Sequence, residues 1–391
     1  MTEVTFSSIG LSVHASSPIV QSIASEYDLR FSKEIESYQH VIGADGGFLS
    51  CTFTVKVSQV EIDDWLENGL ARHIIVYSGE TDVVWCGFVN MISFGIGALS
   101  ATRGPLFDIA NRVMVVYTPI IDTTVDPPVT GSATETPIAE DTDSQDRYGI
   151  IEKIISGGQL LDDGTTDTAE EIRDLYLEEY KYPFTDETIT LGQITEPTMT
   201  VECLGYVEWL KAYVHNDYTA STTTLDAKVK NVLNDDPNTV FNTNQTFIES
   251  NAQLTNQYED KNRFANTVID ELVKMGDASD NRWVFQVYED QLCYYRAIPT
   301  ETEYLHSLTS SAQNVSLLDG TEVRPWDMRP AVWVEITNFI IGQSDYPSLR
   351  QDPRVMFAER VTYTAPYGLA IAGARISTVT QRLAQLGVGG A

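Results

Sequence analysis

The chain has 391 residues and a formal net charge of −31, with 25 Lys and Arg against 56 Asp and Glu. Such a surface repels phosphate backbones and anionic lipid headgroups, which argues against specific nucleic-acid binding and against docking on acidic membranes. The length calls for two to four modules, and no apolar run reaches the roughly 18 residues that a membrane span needs.

Residues 1–121 read as a β-rich domain. The N-terminus, Met1-Thr2-Glu3-Val4-Thr5-Phe6, lacks the basic start and apolar stretch of a signal peptide. In Thr52-Phe53-Thr54-Val55-Lys56-Val57, apolar and polar residues alternate as on a half-buried strand. His73–Tyr77 and Val83–Val89 flank a polar Ser78–Asp82 loop and predict a hairpin. A short helix is expected near Asp63-Asp64-Trp65-Leu66, and Val113–Tyr117 predicts a further strand.

Residues 122–146 are rich in Thr, Asp and Glu and include Pro127-Pro128. With so few apolar residues the segment reads as an acidic linker or long loop.

Residues 147–305 read as a mixed α/β region. Tyr148, Ile151 and Ile155 fall at helix spacing. Thr168 and Glu171 have capping-box spacing, with Ile172, Leu175, Tyr176 and Tyr180 as the apolar stripe and Pro183 as the stop. Thr188–Tyr218 returns to strand character, Trp209 and Ala212-Tyr213-Val214 included. A helix follows with Thr224 as cap and Leu225, Val229, Val232 and Leu233 inward. The clearest helix places Phe264, Val268 and Leu272 four apart beside Ala265, Ile269 and Val273, between an Asp260 cap and Gly276. Trp283–Tyr288 and Gln291–Tyr295, joined by Glu289-Asp290, predict a tight hairpin.

Residues 306–391 hold two predicted strands, Val332–Ile336 and Arg360–Tyr363, and a terminal helix over Thr378–Leu386 that ends at Gly387. An amphipathic terminal helix of this kind is expected to dock on a neighbour.

The search for chemistry assigns no catalytic, cofactor-binding or metal site. Cys51, Cys86, Cys203 and Cys293 are far apart in apolar runs and read as buried free thiols. His14, His40, His73, His215 and His306 form no metal-ligand spacing. Asp162-Asp163-Gly164-Thr165-Thr166-Asp167 departs from a calcium loop, which needs acids at alternate positions and Glu at twelve. Gly43 to Gly47 lacks the strand–loop–helix order of a phosphate cradle and reads as a turn. Trp283, Phe285, Tyr288, Tyr294 and Tyr295 could stack on sugars but fit core strands better.

Several segments together resemble phage tail proteins encoded near the tape measure. They are Val84–Val89 followed by Leu99–Ala110, then Asp235-Asp236-Pro237-Asn238, Tyr258-Glu259-Asp260, Gly276-Asp277-Ala278, Arg282-Trp283, and Tyr294-Tyr295 running to Pro299. The resemblance covers about two-thirds of the chain and carries no catalytic signature. It implies an α+β fold: β-rich, tail-tube-like barrel domains with helical insertions. It implies a non-enzymatic baseplate or tail-tip hub, located in the virion tail and made in the host cytoplasm. The hub would be a homotrimer contacting the tail tube or distal tail protein, a spike or fibre, and the tape measure. An acidic lumen would let DNA pass without sticking. Two alternatives stand beside it: a receptor- or carbohydrate-binding tail protein, and a cell-wall or polysaccharide hydrolase using two carboxylates.

Overall fold

The computed structural model describes residues 2–5, 11–18, 35–78, 82–162, 168–190, 195–215, 222–255, 262–279, 281–299, 305–309, 315–317, 321–337, 354–365 and 368–374. The fold is α+β and strand-rich. Its first strands are β1 (Thr2–Thr5), β2 (Leu11–Pro18), β3 (Ile35–Gly43), β4 (Gly46–Lys56), β5 (Arg72–Ser78), β6 (Asp82–Gly97), β7 (Leu99–Arg103) and β8 (Arg112–Asp122). The expected hairpin is β5–β6, antiparallel with His73 opposite Phe88. The alternation read in Thr52–Val57 falls on β4, where Phe53 and Val55 are buried and Thr52 and Thr54 are half-buried. Helix α1 (Gln59–Asn68) covers the Asp63–Leu66 stretch. It starts with a capping box in which Ser58 accepts from the Glu61 amide and Glu61 accepts from the Ser58 amide.

The acidic segment 122–146 is not a free tether. Three short strands, β9 (Val129–Thr130), β10 (Thr134–Glu135) and β11 (Ala139–Glu140), each pair antiparallel with β8. The backbone ladder holds what apolar burial could not, so composition alone missed it. Helix α2 (Thr142–Tyr148) follows, capped by Asp141, which accepts from the Ser144 amide. The helix expected through Ile151 and Ile155 is a strand instead, β12 (Glu152–Leu161). It pairs in parallel with β8, and this long-range ladder overrides the local helix spacing.

Helix α3 (Thr168–Tyr180) packs on β8 and β12 through Ala169 and Ile172 against Val115 and Tyr117. The stripe expected there is corrected: Leu175 is 71% exposed, and Arg173 is buried in its place. Arg173 stays inward because its guanidinium donates to the Pro137 carbonyl and to Asp174. The helix stops before Pro183.

Strands β13 (Thr185–Ile189) and β14 (Thr195–Leu204) come next. β14 lies between β4 and β6, antiparallel to both. The strand expected through Trp209 is a 3-10 helix over Tyr206–Lys211, and strand character resumes only at Val214, after a bend at Ala212-Tyr213. Two clips, β15 (Val214–His215) with β18 (Arg263–Phe264) and β16 (Thr223–Thr224) with β17 (Leu254–Thr255), frame helix α4 (Leu225–Asn234) and helix α5 (Ala265–Met275). The inward residues named from the sequence for α4 are all buried. Phe264, not Asp260, stands at the N-cap of α5; Asp260 lies outside the described residues. Gly276 ends α5 at φ +63°.

The predicted hairpin is β19 (Trp283–Val287) and β20 (Cys293–Ala297). Its connection is longer than two residues: a 3-10 turn over Glu289–Gln291 intervenes, with Asp290 and Gln291 at φ +54°. The last strands are β21 (Leu305–Thr309), β22 (Val315–Leu317), β23 (Glu322–Val323), β24 (Trp333–Thr337), β25 (Arg354–Thr364) and β26 (Gly368–Ala374). β25 joins this group to the front of the chain by pairing with β3. The terminal helix expected over Thr378–Leu386 lies outside the described residues.

Seventeen strands connect into one sheet, but among the described residues the pairings form an open, branched path and close no barrel. One continuous hydrophobic cluster runs from Leu11 to Tyr363 and includes residues of both 1–121 and 147–305. At its centre the Phe88 ring meets Trp209 edge-on at 5.3 Å and Phe107 at 5.8 Å. Such pairs add about 0.5–1.5 kcal/mol beyond the area they bury.

The Gly43–Gly47 stretch is the β3–β4 turn, as the sequence suggested. Gly47 sits at φ +72° where β4 meets Val287 of β19, and a Cβ there would lie 2.4 Å from the Val287 carbonyl oxygen. Gly47→Ala should therefore cost at least about 2 kcal/mol, from left-handed backbone strain plus a backbone clash. The denaturant midpoint reads this directly, and an unchanged midpoint would show that the two strands can part without loss.

Candidate functional site

A cleft of about 510 Å³ lies beside α5. Helix periodicity explains its first wall. Asn266, Asp270 and Lys274 are four apart and so share one face, while Val268 and Leu272 point into the core. None of the three side chains has a hydrogen-bond or ion-pair partner among the described residues. The opposite wall comes from the β3–β4 turn and β19, where Arg282 donates to Asp45 at 3.0 Å. Lys211 pairs with Glu208 at one end. Leu49, Val207 and Ile269 supply the apolar lining.

Loss of hydration against these walls raises the Asp270 carboxyl above its ordinary range, with Lys274 and Lys211 pulling the other way. Asp45 is raised for the same first reason and held back by Arg282. Three cations and three acids line the space, so the cleft is neutral on a strongly acidic chain. It can hold a polar ligand by paired donors and acceptors. The i, i+4, i+8 polar stripe on α5 was visible in the sequence, but nothing there showed that this face looks into a cleft.

All four cysteines are free and buried. Cys51 and Cys203 face each other across β4 and β14, and burial pushes all four thiols well up. The native chain should therefore release essentially no thiol signal to a disulfide reagent at neutral pH, and all four on denaturation. Rapid native labelling would show that the core opens easily.

His40 is fully buried, bonded through Nδ1 to the Tyr38 hydroxyl at 2.9 Å and flanked by the Tyr363 ring. Burial, helped by the nearby Arg329 charge, lowers it to about 3. Burial lowers His73, whose Nδ1 bonds to the Tyr206 hydroxyl, to about 4. His215 bonds to Asp235 at 2.7 Å. Among the described residues no three His, Cys, Asp or Glu side chains gather as a metal site would require.

Asp162 accepts from the Tyr117 hydroxyl at 2.8 Å; residues 163–167 lie outside the described set. Trp283, Phe285, Tyr288 and Tyr295 are buried in the core, whereas Tyr294 stacks on the exposed Phe247 at 4.6 Å.

Two surface features complete the picture. Tyr176 and Tyr180 stack at 4.3 Å on α3, beside the exposed Tyr182 and Phe184. Beyond them β6, β7 and β13 form an arm, and every residue of β13 is exposed. No protein-family model matches the chain, and no curated protein matches it.

Proposed function

We propose that the chain is a structural subunit of a tailed-phage tail tip: a hub, acting as a homotrimer without enzymatic chemistry, that joins the tail tube to a central spike or fibre. In this reading the strand-rich parts are tube-like domains, with α4 and α5 as helical insertions. Its place would be the virion tail, with tube, spike and tape-measure proteins as neighbours.

The observation that carries the reading is the β7–β13 edge, exposed at every position of β13, on a sheet that does not close on itself among the described residues. A sheet with open edges is suited to completion by other chains. The net charge of −31 agrees with it, because an acidic lumen lets DNA pass without adhering.

The test is gold labelling. An antibody against the chain should decorate the distal end of tails in lysates that contain it. Label on capsids, or none on virions, would overturn the hub. A second reading, receptor or glycan binding, draws on the surface aromatic group of half-buried Tyr176 and Tyr180 with exposed Tyr182 and Phe184. It expects polysaccharide binding that Tyr176→Ala abolishes.

A further inference from the structure

We infer that the open edge of β26 is a strand-addition surface for a second copy of this chain, and that it takes the acidic edge strand β13 of that copy. The choice of a second copy rests on the hub reading; the edge chemistry does not.

β26 reads Gly-Leu-Ala-Ile-Ala-Gly-Ala and pairs only with β25 among the described residues. Native proteins blunt exposed edges with charge, proline or a bulge, because unpaired amides and carbonyls invite another strand. β26 carries no charge and no proline along seven residues. Leu369 and Ile371 lie on its inner face, packed on Val361 and yet only half-buried, and among the described residues no strand pairs with β26 on its other side. An added strand would complete that burial.

Charge selects the occupant. Arg360 of β25 is opposite Ala372, so it lies on the outer face of the same edge. It is exposed and has no ion pair among the described residues, in a chain with more than twice as many acids as cations. The counter-charge is therefore expected from outside.

β13 supplies it. The strand reads Thr-Asp-Glu-Thr-Ile, is exposed at all five positions, and pairs only with β7 among the described residues. Asp186 and Glu187 are adjacent, so they point to opposite faces, and in any register one of them reaches the Arg360 face. Pairing β13 with β13 would set acid against acid. Pairing β26 with β26 would leave Arg360 unmatched on both copies. The complementary match is between unlike edges, a head-to-tail contact that closes into a ring when the rotation permits.

Sedimentation velocity on the full chain tests this with a charge exchange. The wild type should associate, and Arg360→Glu should weaken association by about tenfold or more. Adding Asp186→Lys and Glu187→Lys to Arg360→Glu should restore it. All three positions are exposed, and far-UV circular dichroism checks that each variant folds. Ala372→Glu, which places an acid on the same edge, should reproduce the loss.

A wild type that stays monomeric, or Arg360→Glu and Ala372→Glu chains that associate like the wild type, would overturn the proposal. Loss without rescue would exclude β13 as the occupant. Gold at the tail tip with normal association of the edge variants would sink the edge pairing alone. Rescue without gold on virions would sink only the hub.

Discussion

Lowering the pH from 7 to 5 should cost the fold about 4 kcal/mol through two histidines alone. His40 and His73 are held neutral by burial, with proton affinities near pH 3 and pH 4 in the native state against 6.5 when unfolded. Below about 6.5 the unfolded chain takes up protons on both and the native chain does not, so acid favours unfolding. Each contributes about 1.4 kcal/mol per pH unit within that window. The stabilisation is complete above 6.5 and is lost progressively as pH falls toward the native values.

The groups around each histidine explain the difference between them. His40 meets Tyr38 and Tyr363 and feels Arg329, which adds repulsion to dehydration. His73 is partly relieved by the Gly87 backbone and by Asp290. Asp45, Glu152, Asp236, Asp270 and Glu271 are all raised by burial and act in the opposite sense. The difference in thermal-midpoint slope between the wild type and a His40→Gln chain, from pH 7 to pH 5, isolates the His40 share. His40→Gln should flatten the slope by about half, since Gln keeps a partner for Tyr38 and carries no proton equilibrium. An unchanged slope would show that His40 hydrates before the chain unfolds.

Asn111→Ala should destabilise the chain by about 3–5 kcal/mol, because it strands two buried backbone groups. Asn111 is fully buried at the start of the β8 ladder. Its Nδ2 donates to the Gly149 carbonyl at 2.7 Å and to the Ser144 hydroxyl at 3.2 Å, and its Oδ1 accepts from the Ile151 amide at 2.8 Å. These bonds fix the end of α2 and the entry to β12. The control is Gln145→Ala, which removes one bond from the half-buried Gln145 side chain to the Asn111 carbonyl; it should cost about 1 kcal/mol. Urea unfolding compares the two. Equal losses would mean that water replaces the Asn111 side chain without penalty. Amide exchange at Ile151 should accelerate in the Ala variant well before global unfolding.

What the sequence revealed divides by range. Phe53 and Val55 on β4, and Val268 and Leu272 on α5, write their burial into local period, so those elements were legible. Ile151 and Ile155 show helix spacing, yet Ile155 sits in a parallel ladder that starts just after Ile151 and whose partner, β8, is not local. Trp209 and Tyr213 looked like strand residues because both are apolar and buried, and a 3-10 helix buries Trp209 as well, with Tyr213 buried in the bend just after it. The acids of 122–146 suggested a linker, but backbone pairing leaves no mark on composition. The cleft beside α5 and the edge at β26 depend on which faces stay uncovered, a property of the whole sheet.

The placement of β14 has a consequence during synthesis. Thr54 of β4 and Thr200 of β14 share a hydrogen bond while 146 positions apart. At ribosomal rates of about 5–20 residues per second, β4 and β6 wait roughly ten seconds for the strand that fills the gap between them. Throughout that interval a polysome presents many copies of the same unfinished sheet, side by side. Mutual repulsion among acidic nascent chains would keep those copies from joining one another before each has made its own β14.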